Sequence, residues 1–234
     1  MFLENKGYCP CCGQETIFKS GHEWLRDHYL CTKCGCKPRE RALMSVVEEN
    51  YPNWRELTIH ESSPMDRGAS VKFKKECSNY IPSQFWPERK MGKYYEGFYN
   101  VDLEKEHFHK NIFDLVITQD VFEHIYHPDK ACKQIHRTLK KGGAHICTIP
   151  LVNKNNPTEK WSIIKNGEII WLKEPEYHGN PVDDDGAPVS YHYGYDLCSL
   201  VEEWSDFKCQ IESIDDLERG IRAEYNEIII MMKE

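Results

Sequence analysis

Asn111 to Leu151 reads NIFDLVITQDVFEHIYHPDKACKQIHRTLKKGGAHICTIPL. Phe113 to Thr118 is a short, nearly unbroken apolar run, the pattern of a parallel strand covered on both faces. It ends abruptly in polar residues: Gln119, Asp120, Glu123 and His124. Pro128 then stands at a first helical position, and Ala131, Cys132, Ile135 and Leu139 recur at helical spacing. Lys140 and Lys141 complement the negative end of that helix, and Gly142-Gly143 is expected to stop it. Ala144 to Ile149 is a second apolar run, closed by Pro150. The stretch therefore predicts strand, polar edge, crossover helix, strand: one βαβ unit, with its polar edge where open α/β sheets bind ligands.

Around it lie 234 residues, 40% hydrophobic and 29% charged, enough for one large globular domain and a small appendage. No apolar run approaches the about 18 residues that span a membrane, and no basic-then-apolar leader opens the sequence. The expected compartment is cytoplasmic, where the eleven cysteines point to metal or buried thiols rather than disulfides. The net charge of −8 disfavours a nucleic-acid partner, whose phosphates call for clustered Lys and Arg.

The string FDLVITQDVFEHI, a helix, and LKKGGAHICTIPL resembles the second half of a class I S-adenosylmethionine-dependent methyltransferase. The resemblance covers roughly residues 55–234. It implies a doubly wound, seven-stranded Rossmann-like α/β sheet and S-adenosyl-L-methionine as cofactor. Leu57–His60 reads as the first strand, followed by Glu61-Ser62-Ser63-Pro64-Met65-Asp66-Arg67-Gly68. The family's turn here is acidic-x-Gly-x-Gly. Glu61 matches the acidic position, Ser63 stands where the first glycine is expected, and a glycine arrives only at Gly68. Small Ser62 and Ser63 still permit close backbone approach, though serine resists positive φ. The carboxylate that the family places after the second strand is missing from Pro82-Ser83-Gln84, so Ser83 or Gln84 must replace it. The third strand, Tyr99 to Leu103, ends in Asp102-Leu103, which the resemblance assigns to the adenine. Gln119 and Asp120 correspond to the edge beside the methionine part, and Glu123-His124 to the family's Glu-His pair.

Residues 1–37 form a separate Cys-rich module. Cys9-x2-Cys12 and Cys31-x2-Cys34 are separated by 18 residues, and a glycine follows each pair. Four thiolates at this spacing close a tetrahedral site, so a structural Zn2+ on Cys9, Cys12, Cys31 and Cys34 is expected, resembling a zinc ribbon. The roles of Cys11 and Cys36 stay open. A helix over Pro38–Asn50 links this module to the main domain. Arg39 and Arg41 at the junction face either an anionic ligand or structural salt bridges.

Val152 to Tyr195 reads as an insertion over the carboxyl edge of the sheet. Trp161 to Leu172 is a hairpin turning at Asn166-Gly167. His178, Asp183, Asp184, Asp185, His192 and Tyr193 follow, with neither Lys nor Arg from Tyr177 to Tyr195. This composition suits a lid over a small polar, sugar-like acceptor, with His178, His192 and His124 as candidate catalytic groups. The alternatives are an RNA base methyltransferase with a zinc ribbon and a non-catalytic zinc scaffold with a degenerate cofactor loop. Against RNA, seven Lys/Arg offset seven Asp/Glu over residues 1–50.

Overall fold

The computed structural model describes residues 2–105, 107–179 and 185–234. Its centre is strand β8, Phe113–Gln119. Parallel neighbours flank it: β4 (Thr58–Ser62) on one side and β9 (Leu139–Thr148) on the other. Successive side chains point to opposite faces of a strand, so Leu115 and Ile117 join one core and Val116 the other, while Phe113, across a register shift against β9, also joins the second. That two-sided burial is why the run is apolar without alternation.

Beyond β4 lie β5 (Asn79–Gln84) and then β7 (Phe98–Asn100), both parallel, with β6 (Tyr94–Tyr95) antiparallel at the edge. Beyond β9 lie the antiparallel strands Ile228–Lys233 and Phe207–Glu212. The sheet thus has eight strands, one more than the seven expected, with β6 as the added edge strand. Helices α2 (Pro38–Asn50) and α3 (Gly68–Glu76) contribute to the first core, α4 (Pro128–Thr138) and α5 (Leu197–Trp204) to the second.

Some expected boundaries move. Helix α4 ends at Thr138, and Leu139, Lys140 and Lys141 belong to β9 rather than to the helix. Leu139 pairs with Phe113, and the register then shifts before Leu115 pairs with Ala144. Lys140 Nζ meets the Asp114 carboxylate at 2.8 Å, and a Cβ on Gly143 would lie 2.7 Å from the Asp114 carbonyl oxygen. Gly142-Gly143 therefore serves a bulge with close backbone approach rather than a helix stop. The last strand begins at Ile228, after Tyr225, which adopts φ +51. Cys198 and Cys209 are joined as a disulfide, Cα–Cα 5.1 Å, contrary to the expectation of thiols alone.

The Cys-rich module is a small antiparallel sheet of β1 (Leu3–Cys9), β2 (Gln14–Ser20) and β3 (Leu30–Cys31). It is not a detached appendage, because Cys9, Phe18 and Tyr29 share one buried cluster with Ile59, Leu115 and Ile146. Arg41 fastens the junction. It is fully buried, donates through Nε and Nη2 to the Gly220 carbonyl (3.0 and 2.6 Å) and through Nη2 to the Tyr29 carbonyl (2.7 Å). Nη1 donates to the Cys36 carbonyl, and the guanidinium lies 4.6 Å from the Phe18 ring centroid. A buried cation needs such saturation. Arg41 is thus a structural staple and faces no ligand.

The Asn166-Gly167 hairpin forms as read, with Ser162–Lys165 against Glu168–Trp171 and positive φ at both turn residues. Ser190 anchors the insertion: its N–H and Oγ donate to the Glu123 carbonyl (2.7 and 2.9 Å), and Oγ also donates to the Ile125 carbonyl (2.7 Å). Asp183 and Asp184 lie outside the described residues. Among the described residues, no helix is long and apolar enough to cross a membrane.

Candidate functional site

The carboxyl ends of β4, β5, β7 and β8, the Cys-rich module and the 152–195 insertion enclose one cleft of about 2160 Å³. Behind its lining, Glu61 is fully buried near the end of β4, and it is not among the cleft-lining residues. Its Oε1 accepts from Ser70 Oγ (2.6 Å) and Gln119 Nε2 (2.8 Å), and its Oε2 from Tyr80 OH (2.7 Å). Burial raises its pKa, and the three donors oppose that only in part. Glu61 is therefore an organiser that ties the ends of β4, β5 and β8 to α3. It offers no free oxygen through these bonds.

Ser62 and Ser63 line the cleft. Ser63 adopts φ +54, the left-handed conformation that glycine takes without strain. The backbone thus turns here although the glycine is missing from the sequence. Gly68 opens α3 at φ +61, and a Cβ there would meet the Glu40 carboxylate at 2.3 Å. Gly68 serves packing against α2, and it is not among the cleft-lining residues.

Ser83 is corrected. It is fully buried with Oγ 2.8 Å from His60 Nε2, on the strand face away from the cleft, whereas its neighbours Pro82 and Gln84 line it. The period of two decides this: Gln84, not Ser83, is available beneath a ligand. Asp102 and Leu103 line the cleft after β7. The Asp102 carboxylate accepts from the Glu104 N–H (2.9 Å) and pairs with Lys105 Nζ (2.8 Å), whose side chain is largely exposed.

Gln119 ends β8 with its amide nitrogen on Glu61 and Ser70, leaving Oε1 buried beside the cleft, without a partner among the described residues. Asp120 adopts φ +51 and is gripped from the Cys-rich side. Arg26 Nη2 reaches both its oxygens (3.0 and 2.9 Å), and Arg39 Nε lies 2.7 Å from Oδ2. Burial disfavours its charge, but the Arg39 and Arg26 guanidiniums outweigh that and lower its pKa. Arg39 is thus both a structural ion pair and a cleft-lining cation. Arg26 carried no sequence signal, because it sits in a polar segment between the Cys pairs.

Across the cleft, Glu123 is 2% exposed, and among the described residues neither carboxylate oxygen has a hydrogen-bond partner. Burial, assisted by the Asp120 charge, raises its pKa to about 8. His124 Nδ1 donates to the Pro188 carbonyl at 2.9 Å, and burial lowers its pKa, so the ring is neutral with a free Nε2. On the insertion, Glu176 receives both His178 Nε2 (3.2 Å) and His192 Nε2 (2.9 Å). His192 also stacks on Trp161, centroids 3.8 Å apart. His124, His178 and His192 all line the cleft. Tyr193 does not: it is fully buried, with its OH on the Phe122 carbonyl (3.3 Å). Glu176 and Trp161, which fix these rings, gave no signal in the sequence beyond membership of the insertion.

The Sγ atoms of Cys9, Cys12, Cys31 and Cys34 lie within 4.8 Å of one another, a set able to hold a metal ion. Cys36 Sγ is 3.4 Å from Cys9 Sγ, and Cys11 joins these two in a second buried trio.

In sequence, residues 84–147 match the family described as a methyltransferase domain. No curated protein matches the chain. In fold, it is similar to an S-adenosylmethionine-dependent methyltransferase from Mesorhizobium loti, at 14% identity and TM-score 0.50, over 81% of this chain and 96% of that one. It is also similar to a chain of the Haloferax volcanii complex between the Trm112 methyltransferase activator and a methyltransferase. There the identity is 10% and the TM-score 0.51, over 83% of this chain and 89% of that one.

Proposed function

We propose that the chain is an S-adenosylmethionine-dependent methyltransferase, a reading supported by the family match over residues 84–147 and by the fold, and that it methylates a small polar, sugar-like alcohol held beneath the 152–195 insertion. The cofactor, when bound, supplies an electrophilic methyl group on a sulfonium. In this reading it lies across the loop 61–68, Asp102–Leu103 and Gln119–Asp120. The residues fit such a group: Gln119 Oε1 is an orphaned buried acceptor, which suits an ammonium donor, and Ser62 and Ser63 bring backbone to the cleft.

The observation that carries the reading is the meeting of the strand ends and the lid histidines in one cleft. The protein's work is alignment and exclusion of water, because the methyl donor is already activated. Glu176 orients His178 and His192 by accepting from each Nε2. His192, beside the acceptor hydroxyl, would take its proton as the oxygen attacks the methyl carbon, with the leaving electron pair going to the donor's sulfur. In the same reading the module of residues 1–37 is a zinc ribbon, with Zn2+ on Cys9, Cys12, Cys31 and Cys34, docked onto the domain that starts near residue 55. An RNA acceptor suits the site less: Tyr177 to Tyr195 supplies no cation for phosphate.

The test is transfer of labelled methyl to a panel of sugar-like alcohols. His178→Ala and His192→Ala should keep cofactor affinity and lose at least about tenfold in transfer rate. Full transfer by both variants would reject the lid assignment.

A further inference from the structure

Glu123 poses a problem that the methyl-transfer reading does not solve. Its carboxylate is all but sealed from solvent and has no hydrogen-bond partner among the described residues. Leaving such a group unsatisfied is costly, and a native fold retains it only where something else completes it. Two imidazoles face it. His124 Nε2 lies 3.9 Å from Glu123 Oε1, and His178 Nδ1 lies 4.0 Å from the same oxygen. Those separations are too long for hydrogen bonds. They are within the span of one ion bonded at about 2.0–2.2 Å to each atom.

The rings are also prepared for coordination. His124 donates its Nδ1–H to the Pro188 carbonyl, so its facing nitrogen carries a lone pair. His178 donates its Nε2–H to Glu176, which leaves Nδ1 as the facing lone pair. A metal-ligating histidine ordinarily fixes its other N–H on a carbonyl or carboxylate in this way. The ring planes stand at 89°, centroids 5.1 Å apart, so neither ring blocks the other. The three ligand atoms lie within 4.8 Å of one another.

We propose that Glu123, His124 and His178 form a divalent-cation site in the wall of the cleft, separate from the cysteine cluster, with its open side toward the acceptor. One carboxylate and two imidazoles favour a first-row transition ion over magnesium or calcium, which prefer all-oxygen shells. Three protein ligands leave coordination positions vacant for a hydroxyl oxygen of the acceptor. Because His124 and Glu123 follow β8 and His178 comes from the insertion, the ion clips the lid to the sheet edge. The assignment of the vacant position to the acceptor rests on the methyl-transfer reading; the ion site itself does not.

The experiment is calorimetric titration of Co2+ into the full chain whose cysteine cluster has first been filled with Zn2+, without cofactor. The wild type should take up one further equivalent. His178→Ala and Glu123→Gln should weaken that step at least about tenfold, and Glu176→Gln, which touches the site through His178 rather than as a ligand, by about 10–100-fold. Cobalt on nitrogen and oxygen ligands lacks the thiolate charge-transfer absorption, so exchange into the cysteine cluster is recognised. If Glu123→Gln fails to fold, His178→Ala decides, since its side chain is partly exposed on the lid. No further equivalent in the wild type, or one undiminished in His178→Ala, overturns the proposal. S-adenosylhomocysteine titration runs in parallel. Cobalt uptake without cofactor binding would sink the methyl-transfer reading and leave the ion site standing, and the converse result would do the reverse.

Discussion

Arg26 spans from the Cys-rich module to the edge of the main sheet and grips Asp120 through both carboxylate oxygens, at 3.0 and 2.9 Å. The same guanidinium donates to the Tyr225 carbonyl. Asp120 in turn accepts from Thr148 Oγ1 at 2.8 Å. One side chain therefore joins three parts of the chain at the mouth of the cleft. Arg26→Ala should destabilise the protein by about 1–3 kcal/mol, because Asp120 keeps Arg39 and Thr148 but loses a charged donor. Urea unfolding checks this, with an unchanged midpoint counting against the relationship.

The two buried histidines of the sheet set an acid limit. Burial lowers the pKa of His60 and of His145 to about 3, from an ordinary value of 6.5. Both imidazoles are neutral in the fold and protonate on unfolding, so the unfolded chain binds more protons between those values. Stability is full above pH ~6.5 and falls as pH drops toward ~3, by about 1.4 kcal/mol per pH unit for each histidine. From pH 7.5 to 5.5 the loss from the two is about 2–3 kcal/mol. His145→Gln should remove about half of that pH dependence, read as the slope of unfolding free energy against pH. An unaltered slope would show that His145 does not carry it.

Ser63 predicts a gain. It holds φ +54 with a side chain that disfavours it. Ser63→Gly should stabilise the fold by about 1 kcal/mol and leave cofactor affinity intact or improved. Thermal unfolding with and without S-adenosylhomocysteine measures both.

This loop also marks what the sequence could and could not reveal. The two-sided apolar run Phe113–Thr118 and the crossover helix from Pro128 have local causes, and they stand where read. Helix α2 and the Asn166-Gly167 hairpin do too, because capping, periodicity and turn chemistry act within a few residues. The glycine signature at residues 61–68 is weak, yet the backbone turns without it, held by the Glu61 network from β5, β8 and α3. The errors arise where tertiary contact overrides local preference. Leu139 to Gly143 looks like a helix end and becomes a bulged strand because Asp114 lies opposite. Ser83 was separated from Gln84 only by strand parity. Arg26, Glu176 and the isolation of Glu123 are products of folding, with no pattern in the linear chain.

The cysteine cluster should matter beyond its own residues. Cys9 and Cys31 are buried in the core that holds Ile59 and Leu115. If zinc occupies Cys9, Cys12, Cys31 and Cys34, metal analysis should find about one zinc in that set. Chelation or Cys12→Ser should then lower the melting temperature of the whole protein, rather than release a loose end. Metal-free protein with an unchanged melting curve would contradict the zinc ribbon.

The central claim is that S-adenosylmethionine binds across the ends of β4, β7 and β8. Calorimetric titration of S-adenosylhomocysteine into the wild type and into Asp102→Ala tests it most directly. The account predicts saturable one-to-one binding to the wild type, weakened by about 1–3 kcal/mol in the variant as a buried ligand donor loses its partner. Absence of binding to the wild type, or identical affinity in Asp102→Ala, would contradict it.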